Sequence, residues 1–212
     1  ASPIWASALV FEVNKKEMLK PQRLMAKRVA CAYTTVPTNA ILVVAGMLPL
    51  HIMVSERNSV HVAKKAGSIL PTKLNGRKTP ILVEWTRRLI PDVRPWVSRS
   101  SGTINYHITQ FLTGHWCFGK YLWRFKKRDV SECHDYLDPT DDAEHAFFVC
   151  DRRWRRRREL EVETGREFTP ETAVKTMLES REKWDAVCCY VVNVLKTREE
   201  EERQRQWVPA NN

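Results

Sequence analysis

The apolar residues of this chain recur at helical spacing, and this feature limits the possible fold more than any other. The residues expected on the buried side of a last helix, at about 182–206, are Trp184, Val187 or Cys188, Val191 and Leu195. Thr169 followed by Pro170 and Glu171 is typical of a helix start, with a capping hydroxyl, a first-turn proline and an acid at the positive helix end. No segment alternates polar and apolar residues as a strand would. The sequence therefore predicts a mainly α fold.

Proline, glycine and polar stretches divide the helices into regions. Thr38 is the predicted N-cap of a short buried helix at 39–45, and Gly46 is its predicted C′ residue. Further helices are predicted at 17–33, at 84–90 (ended by Pro91 and Pro95), and at 104–112, 118–125 and 143–160. The predicted regions are a helical region at 1–67, a polar linker at 68–80, connecting helices at 81–128, a small metal loop with a basic helix at 129–160, and C-terminal helices with a solvated charged tail (198–205) at 161–212.

The charge balance points to a polyanionic partner. Lysine and arginine number 35 against 25 acidic residues, which gives a net charge of +10 and a pI near 9.5. Nucleic acid is the first partner to expect and an anionic membrane surface the second. Glycine-rich phosphate loops are absent from the sequence. The longest apolar run, 41–50, has about half of the roughly 20 residues that a bilayer span needs, so a transmembrane helix is not expected.

The start of the chain and its cysteines indicate a reduced intracellular fragment. The sequence begins at Ala1 without the charged region and cleavage site of a signal peptide, and we expect a piece of a longer protein. Adjacent Cys188 and Cys189 in a helical pattern do not suggest a disulfide framework. Reduced thiols in the cytosol or nucleus are therefore expected.

Three residues have the spacing of a zinc knuckle. Cys133, His145 and Cys150 form a C-x11-H-x4-C pattern, of which the H-x4-C half is typical of such sites. A knuckle needs a fourth ligand, and Tyr136 stands where the second cysteine of a C-x2-C pair belongs. His134, Asp135 or Asp138 could supply it, and three ordinary buried side chains of a helical domain would also fit the pattern.

A basic run directly follows the last of these residues. It consists of Arg152, Arg153, Trp154, Arg155, Arg156, Arg157 and Arg158. Guanidinium groups pair with phosphates and an indole ring stacks on bases, so the run is a candidate nucleic-acid surface. A solvated basic face, a nuclear-import signal, or a helix with Trp154 in the core would also fit. More positive charge comes from the stretch 126–128 and from Lys20, Arg23, Lys27 and Arg28.

No complete catalytic constellation is visible. Asp141 and Asp142 are paired acids that could hold magnesium, but no strand-turn-strand pattern would aim them. His115 beside Cys117 suggests a Cys-His nucleophile, yet nothing supplies a third orienting group. We therefore predict no catalytic residues in this chain.

Several longer motifs follow one another in a fixed order. They are Ala1-Ser2-Pro3-Ile4-Trp5-Ala6, Cys31-Ala32-Tyr33-Thr34-Thr35-Val36 within 22–48, Leu89-Ile90-Pro91-Asp92-Val93-Arg94-Pro95-Trp96, Leu112-Thr113-Gly114-His115-Trp116-Cys117-Phe118 with Tyr121-Leu122, Cys133 through Cys150 with Ala143-Glu144-His145, and Thr169-Pro170-Glu171. This series resembles the end of insect non-LTR retrotransposon reverse transcriptases that insert in ribosomal DNA. In that family the fourth motif usually reads LTGHGCF and the fifth closes a CCHC knuckle.

The resemblance covers nearly the whole chain and implies a nucleic-acid-binding role. The region 1–67 would be the thumb, which cradles the template-primer duplex, and the knuckle with its arginine run would hold RNA or target DNA. The magnesium ions of such polymerases sit on palm-domain aspartates, which this chain lacks, so it is expected to be inactive alone. Expected partners are RNA, DNA and the upstream polymerase domains, in the nucleus after cytoplasmic synthesis. Trp116 and Tyr136 depart from the family's glycine and cysteine.

Two other readings remain open. A decayed remnant or adopted helical module could bind proteins through 188–195 and the charged tail, without any nucleic-acid role. The second interpretation is that this chain is a truncated part of a complete enzyme.

Overall fold

The computed structural model describes residues 4, 6–66, 84–133 and 140–207, the side chains of residues 206 and 207 excepted. Within these ranges the regular elements are helical and no strand occurs, which confirms the mainly α prediction. The chain divides into two compact units, Ala1–Leu82 and Val83–Asn212. The predicted linker, 68–80, falls outside the described residues.

Three α-helices make up most of the described part of the first unit: α1 (Glu12–Val29), α2 (Thr38–Val44) and α3 (Leu50–Lys65). Helix α1 begins and ends earlier than the predicted 17–33. The residue that precedes α2 is Pro37, so Thr38 is its first helical residue and not its N-cap. Gly46 has a φ of +69°, which confirms it as the C′ residue, because glycine adopts this left-handed conformation at little cost.

The first unit is built around α2. Its residues Ala40 to Val44 are all buried. The buried side chain of Gln22, on α1, fixes the turn before α3: its Nε2 donates to the carbonyl oxygen of Leu48 (2.6 Å) and its Oε1 accepts from the amide of Leu50 (3.0 Å). A buried amide is stable only when both of its ends are hydrogen-bonded, and here both are.

The second unit contains seven further α-helices in its described part: α4 (Glu84–Leu89), α5 (Val93–Ser98), α6 (Tyr106–Thr113), α7 (Gly119–Arg124), α8 (Trp154–Thr164), α9 (Pro170–Glu179) and α10 (Arg181–Trp207). Helix α10 packs against α6, α8 and α9, and α9 also packs against α4. The regions predicted separately at 81–128, 129–160 and 161–212 therefore share one core.

Two helix predictions in this unit need correction. Pro91 does end α4, but Pro95 lies in the first turn of α5, where the missing amide proton is not needed for a hydrogen bond within the helix. The single helix predicted at 143–160 is interrupted at Cys150, whose backbone is extended (φ −49°, ψ 121°). A π-helical turn at His145–Val149 and a 3-10 turn at Asp151–Arg153 lie on either side of it.

The last two helices agree with their sequence signals. Thr169 caps α9 in a reciprocal arrangement with Thr172, and Pro170 is the first helical residue. Glu171 lies in the first turn of α9, as predicted, and also pairs with Arg88 of α4 (2.9 Å). Helix α10 spans the predicted 182–206, and its predicted core residues Trp184, Val187, Val191 and Leu195 are buried.

An aromatic core supports the π-helical turn. The rings of Phe111 and Phe147 meet edge to face at 4.8 Å between centroids, and those of Phe148 and Phe168 stack at 4.9 Å. The hydroxyl of Tyr190 donates to the carbonyl oxygen of Phe147 (2.6 Å), which satisfies a polar group inside this core. The turn that carries His145 is therefore held by Phe111 of α6, by Phe168 just before α9, and by Tyr190 of α10.

Candidate metal centre and basic surface

The structure brings the three predicted metal ligands together. Cys133, His145 and Cys150 are all buried, and one ligand atom from each lies within 4.8 Å of the other two. Sulfur and nitrogen atoms bound to one tetrahedral zinc at about 2.0–2.3 Å would lie roughly 3.5–4 Å apart, so small side-chain adjustments would suffice. The group could therefore hold a metal ion.

Short-range hydrogen bonds form the frame of this group. The amide of Asp141 donates to the carbonyl oxygen of Ser131 (2.8 Å), which holds the segment of Cys133 against the segment that leads to His145. Asp142 Oδ1 accepts from the amide of His145 (3.1 Å), and the amide of Cys150 donates to the carbonyl oxygen of His145 (2.8 Å). Two of the ligands are thus fixed by the same turn. The candidates for a fourth ligand lie outside the described residues; they are His134, Asp135 and Asp138. Tyr136, which stands at the position of the missing cysteine, also lies outside them.

Two arginines of the basic run support the metal group from inside the protein. Arg153 is 5% exposed and its Nη1 donates to Cys150 Sγ (3.4 Å). Arg157 is 9% exposed and donates to the carbonyl oxygens of Cys150 (3.2 Å) and Val149 (3.4 Å). A cationic donor at a ligand sulfur offsets thiolate charge and fixes its orientation. Arg153 and Arg157 were predicted to bind nucleic acid, but both are buried and stabilise the fold around Cys150. The sequence contained no indication of this structural role.

The other residues of the run face outward. Trp154 is 58% exposed, so the alternative that places it in the core is wrong. Arg155 and Arg156 are exposed and form no ion pair within the described part of the chain. Arg152 pairs with Glu201 (2.8 Å) and Arg158 with Glu161 (3.0 Å). Because both pairs are partly exposed, their charges are weakly compensated and stay accessible to a polyanion.

The predicted cations of the first unit differ in availability. Lys20 is exposed and pairs with Glu17 (2.6 Å), while Arg28 is exposed and Lys27 half-buried. Arg23 is half-buried and donates to Thr38 Oγ1 (2.8 Å) and to the carbonyl oxygen of Thr34 (2.6 Å). Arg23 therefore helps to join α1 to α2, in addition to any role at the surface.

The paired acids are structural. Asp141 is buried and its Oδ2 accepts from Arg198 and from the amide of Gly119 (2.8 Å), with Arg128 3.6 Å away. A Cβ at position 119 would lie 3.0 Å from that same oxygen, so glycine is needed for this close approach. Asp142 pairs with Lys120 (3.3 Å) in addition to holding the turn of His145. Both carboxylates are thus bound by donors of the protein itself.

Arg198 corrects the prediction of a solvated tail at 198–205. It is 8% exposed, and it donates to Asp141 and twice to the carbonyl oxygen of Cys117 (3.1 and 2.9 Å). A signal for this burial was present in the sequence, because residue 198 continues the helical stripe of Val191 and Leu195 at the next spacing of three.

His115 and Cys117 do not form a nucleophilic pair. His115 Nδ1 lies 2.8 Å from the carbonyl oxygen of Thr113, and its ring lies against Tyr121. Burial raises the pKa of the Cys117 thiol to about 12, which keeps it protonated and unreactive at neutral pH. Between them, Trp116 has a φ of +110°, a left-handed conformation that favours glycine.

Comparison of the chain with protein-family models, with curated proteins and with solved structures found no match. Among the helices in the described residues, none is both long and apolar enough to cross a membrane.

Proposed function

We propose that this chain is the C-terminal nucleic-acid-binding part of a non-LTR retrotransposon reverse transcriptase, with no polymerase activity of its own. One observation carries the proposal: three converging metal ligands lie at the base of a helix whose outer face presents Trp154, Arg155 and Arg156. A metal site that directly precedes an exposed basic and aromatic helix suits the binding of RNA or DNA.

The metal that we propose is zinc. Two thiolates and an imidazole are ligands that zinc prefers, and they would leave one position for a fourth ligand. Bound zinc would fix the loop from Cys133 to the turn of His145 and Cys150. The cationic donor Arg153 would remain on the sulfur of Cys150. Zinc would thereby anchor the start of α8, which carries the exposed arginines.

The backbone at Trp116 supports the proposed family. The resembling motif has glycine at this position, and here the residue has a left-handed φ, where glycine is the least strained choice. The tryptophan is held by a hydrogen bond from its Nε1 to Glu199 Oε1 (2.8 Å). A glycine-requiring turn with a substituted residue agrees with a chain that has departed from the family pattern.

Under this proposal the partners are RNA, DNA and the upstream polymerase domains of the parent protein, in the nucleus after cytoplasmic synthesis. Magnesium-dependent polymerisation would belong to the palm domain of the parent. The rival interaction module through 188–195 finds little support, because Val191, Val194 and Leu195 are already buried within the second unit.

Fluorescence anisotropy with a labelled oligonucleotide, measured over a series of salt concentrations, tests the proposal. The logarithm of the binding constant should fall with the logarithm of salt concentration, with a slope of about −0.9 per duplex phosphate neutralised. The variant Arg155→Ala/Arg156→Ala should bind several-fold more weakly and show a smaller slope. Its matched control is Lys175→Ala/Lys196→Ala, which removes the same charge from exposed positions on α9 and α10.

Equal losses in these two variants would mean that only net charge matters and would contradict a specific basic helix. Absence of binding by the unaltered chain at low salt would refute the proposed function as a whole.

A further inference from the structure

A second aromatic and basic surface lies at the end of α7, outside the metal group and α8. It consists of five consecutive exposed residues, which we name the α7 patch: Trp123, Arg124, Phe125, Lys126 and Lys127. Trp123 is 53% exposed and Phe125 43%. Large aromatic side chains normally bury most of their surface, so two in one exposed pentapeptide call for a binding role.

Hydrogen bonds hold the chain in place at the start of α7 and directly after the α7 patch. At the start of α7, Asp141 accepts from the amides of Gly119 (2.8 Å) and Lys120 (2.9 Å). Directly after the patch, Arg128 turns inward and donates to the carbonyl oxygen of Glu132 (3.1 Å). The ring of Phe125 lies against Tyr121, with 4.7 Å between centroids. The exposed aromatics are therefore presented by an anchored helix end.

No acidic side chain among the described residues compensates the charge of the patch. Arg124, Lys126 and Lys127 form no ion pair within the described residues, although Lys15, Lys20 and Arg158 pair with acids on their own helices. Three neighbouring cations with no acidic partner in the described part of the chain repel one another, and this repulsion is relieved when a polyanion binds. Phosphate groups are the simplest ligands that satisfy all three.

The backbone gives a further reason to assign a function to Lys126. This residue closes α7 in a left-handed conformation (φ +54°), with its amide bonded to the carbonyl oxygen of Trp123 (2.9 Å). Glycine is the usual residue at this position, directly after the C-cap of a helix, because it adopts a positive φ without strain. A lysine here accepts backbone strain, and strained residues cluster at binding sites. Within the described residues, the lysine side chain makes no hydrogen bond and no ion pair.

We propose that the α7 patch binds single-stranded nucleic acid, with bases stacked on Trp123 and Phe125 and phosphates paired with Arg124, Lys126 and Lys127. This inference rests on the proposed nucleic-acid function and adds a site separate from α8. Single strands are favoured over duplexes because the bases of a duplex already stack on one another and offer no free face to an aromatic ring. Alternating aromatic and cationic side chains match alternating bases and phosphates.

Anisotropy measurements on the full chain test the inference with one labelled oligonucleotide, used as a single strand and as a duplex. Trp123→Ala/Phe125→Ala should weaken single-strand binding roughly 5- to 100-fold for each of the two stacked bases that is lost. Duplex binding should change less than twofold. The conservative variant Trp123→Phe/Phe125→Tyr keeps both rings and should bind the single strand nearly as well as the unaltered chain.

Lys126→Gly separates binding from folding. It removes a phosphate-pairing charge and at the same time relieves the left-handed strain, so single-strand affinity should fall while the melting temperature stays equal or rises. The salt slope for the single strand should decrease by about 0.7, the value for one lost phosphate contact. Unchanged affinity and slope in Lys126→Gly would overturn the inference.

Comparison with Arg155→Ala/Arg156→Ala distinguishes the failure of this inference from failure of the proposed function. If only the α8 variant lost binding, the inference about the α7 patch would be refuted and the proposed function would still be supported. Single-strand loss only in the α7 variants would support the patch and remove α8 from the proposal. If the unaltered chain bound neither form, both proposals would fall.

Discussion

Replacing Arg198 should destabilise the second unit more than any exposed arginine does. The guanidinium of Arg198 and the carboxylate of Asp141 form an ion pair in which both side chains are at least nine-tenths buried. Arg198→Met keeps the length and apolar stem of the side chain but leaves Asp141 buried without its main cationic partner. The remaining partners of the Asp141 carboxylate, Arg128 at 3.6 Å and the amide of Gly119, do not compensate for the loss of the Arg198 guanidinium.

The magnitude follows from this burial. Removing one partner of a buried pair costs about 3–5 kcal/mol, because the remaining charge is left desolvated. For a unit of this size such a loss lowers the melting temperature by roughly 10–20 °C. Arg181 on the same helix provides the matched control. It pairs with Asp185 at 3.9 Å, both side chains are mostly exposed, and Arg181→Met should cost under about 1 kcal/mol.

Urea unfolding followed by tryptophan fluorescence measures both variants. The signal reports mainly on the second unit, since every tryptophan except Trp5 lies there. Asp141→Asn should also destabilise, and the double variant with Arg198→Met should lose less than the sum of the single losses. Additive losses, or equal effects of Arg198→Met and Arg181→Met, would refute the idea that a buried ion pair holds this unit together.

Three further predictions concern the cysteines and α7. Cys150→Ser should reduce the zinc content of the purified chain while the exposed control Cys189→Ser leaves it unchanged, as measured by atomic absorption; equal zinc in both would contradict the metal group. Because burial raises the pKa of Cys117 from about 9 to about 12, the folded state holds this proton more tightly than the unfolded state, so stability should fall as pH rises from 9 to 12. Cys117→Ala should make that decline shallower in urea titrations at successive pH values, and an identical decline would contradict the assignment. Lys126→Gly should raise the free energy of unfolding by about 0.5–1 kcal/mol, and a loss of stability would show that the lysine side chain supports the fold.

Several local elements of this protein were predictable from its sequence. The start of α9 was predictable because a hydroxyl, a proline and their spacing act within one turn. The end of α2 at Gly46 was predictable for the same reason. The apolar stripe of α10 also identified its buried face correctly, since periodicity is a property of the helix itself.

The metal group is an intermediate case. Sequence spacing selected Cys133, His145 and Cys150, and the structure brings their ligand atoms together. Spacing gave no sign that the helix predicted at 143–160 would break at Cys150. That break depends on the extended backbone of Cys150 and on the aromatic core around Phe147, which is assembled from residues far apart in the chain.

Helical periodicity and local capping signals were enough to predict the mainly α class, the start of α9, the end of α2 and the residue types of the candidate site. Which cations of the basic run are buried could be learned only from the packing of the whole unit. Arg153 and Arg157 turn inward beneath Cys150 while Arg155 and Arg156 face solvent, although all four belong to one basic run. The burial of a charge depends on a partner that the fold delivers, such as Asp141 for Arg198 across 57 residues. Local spacing carries no information about such a partner.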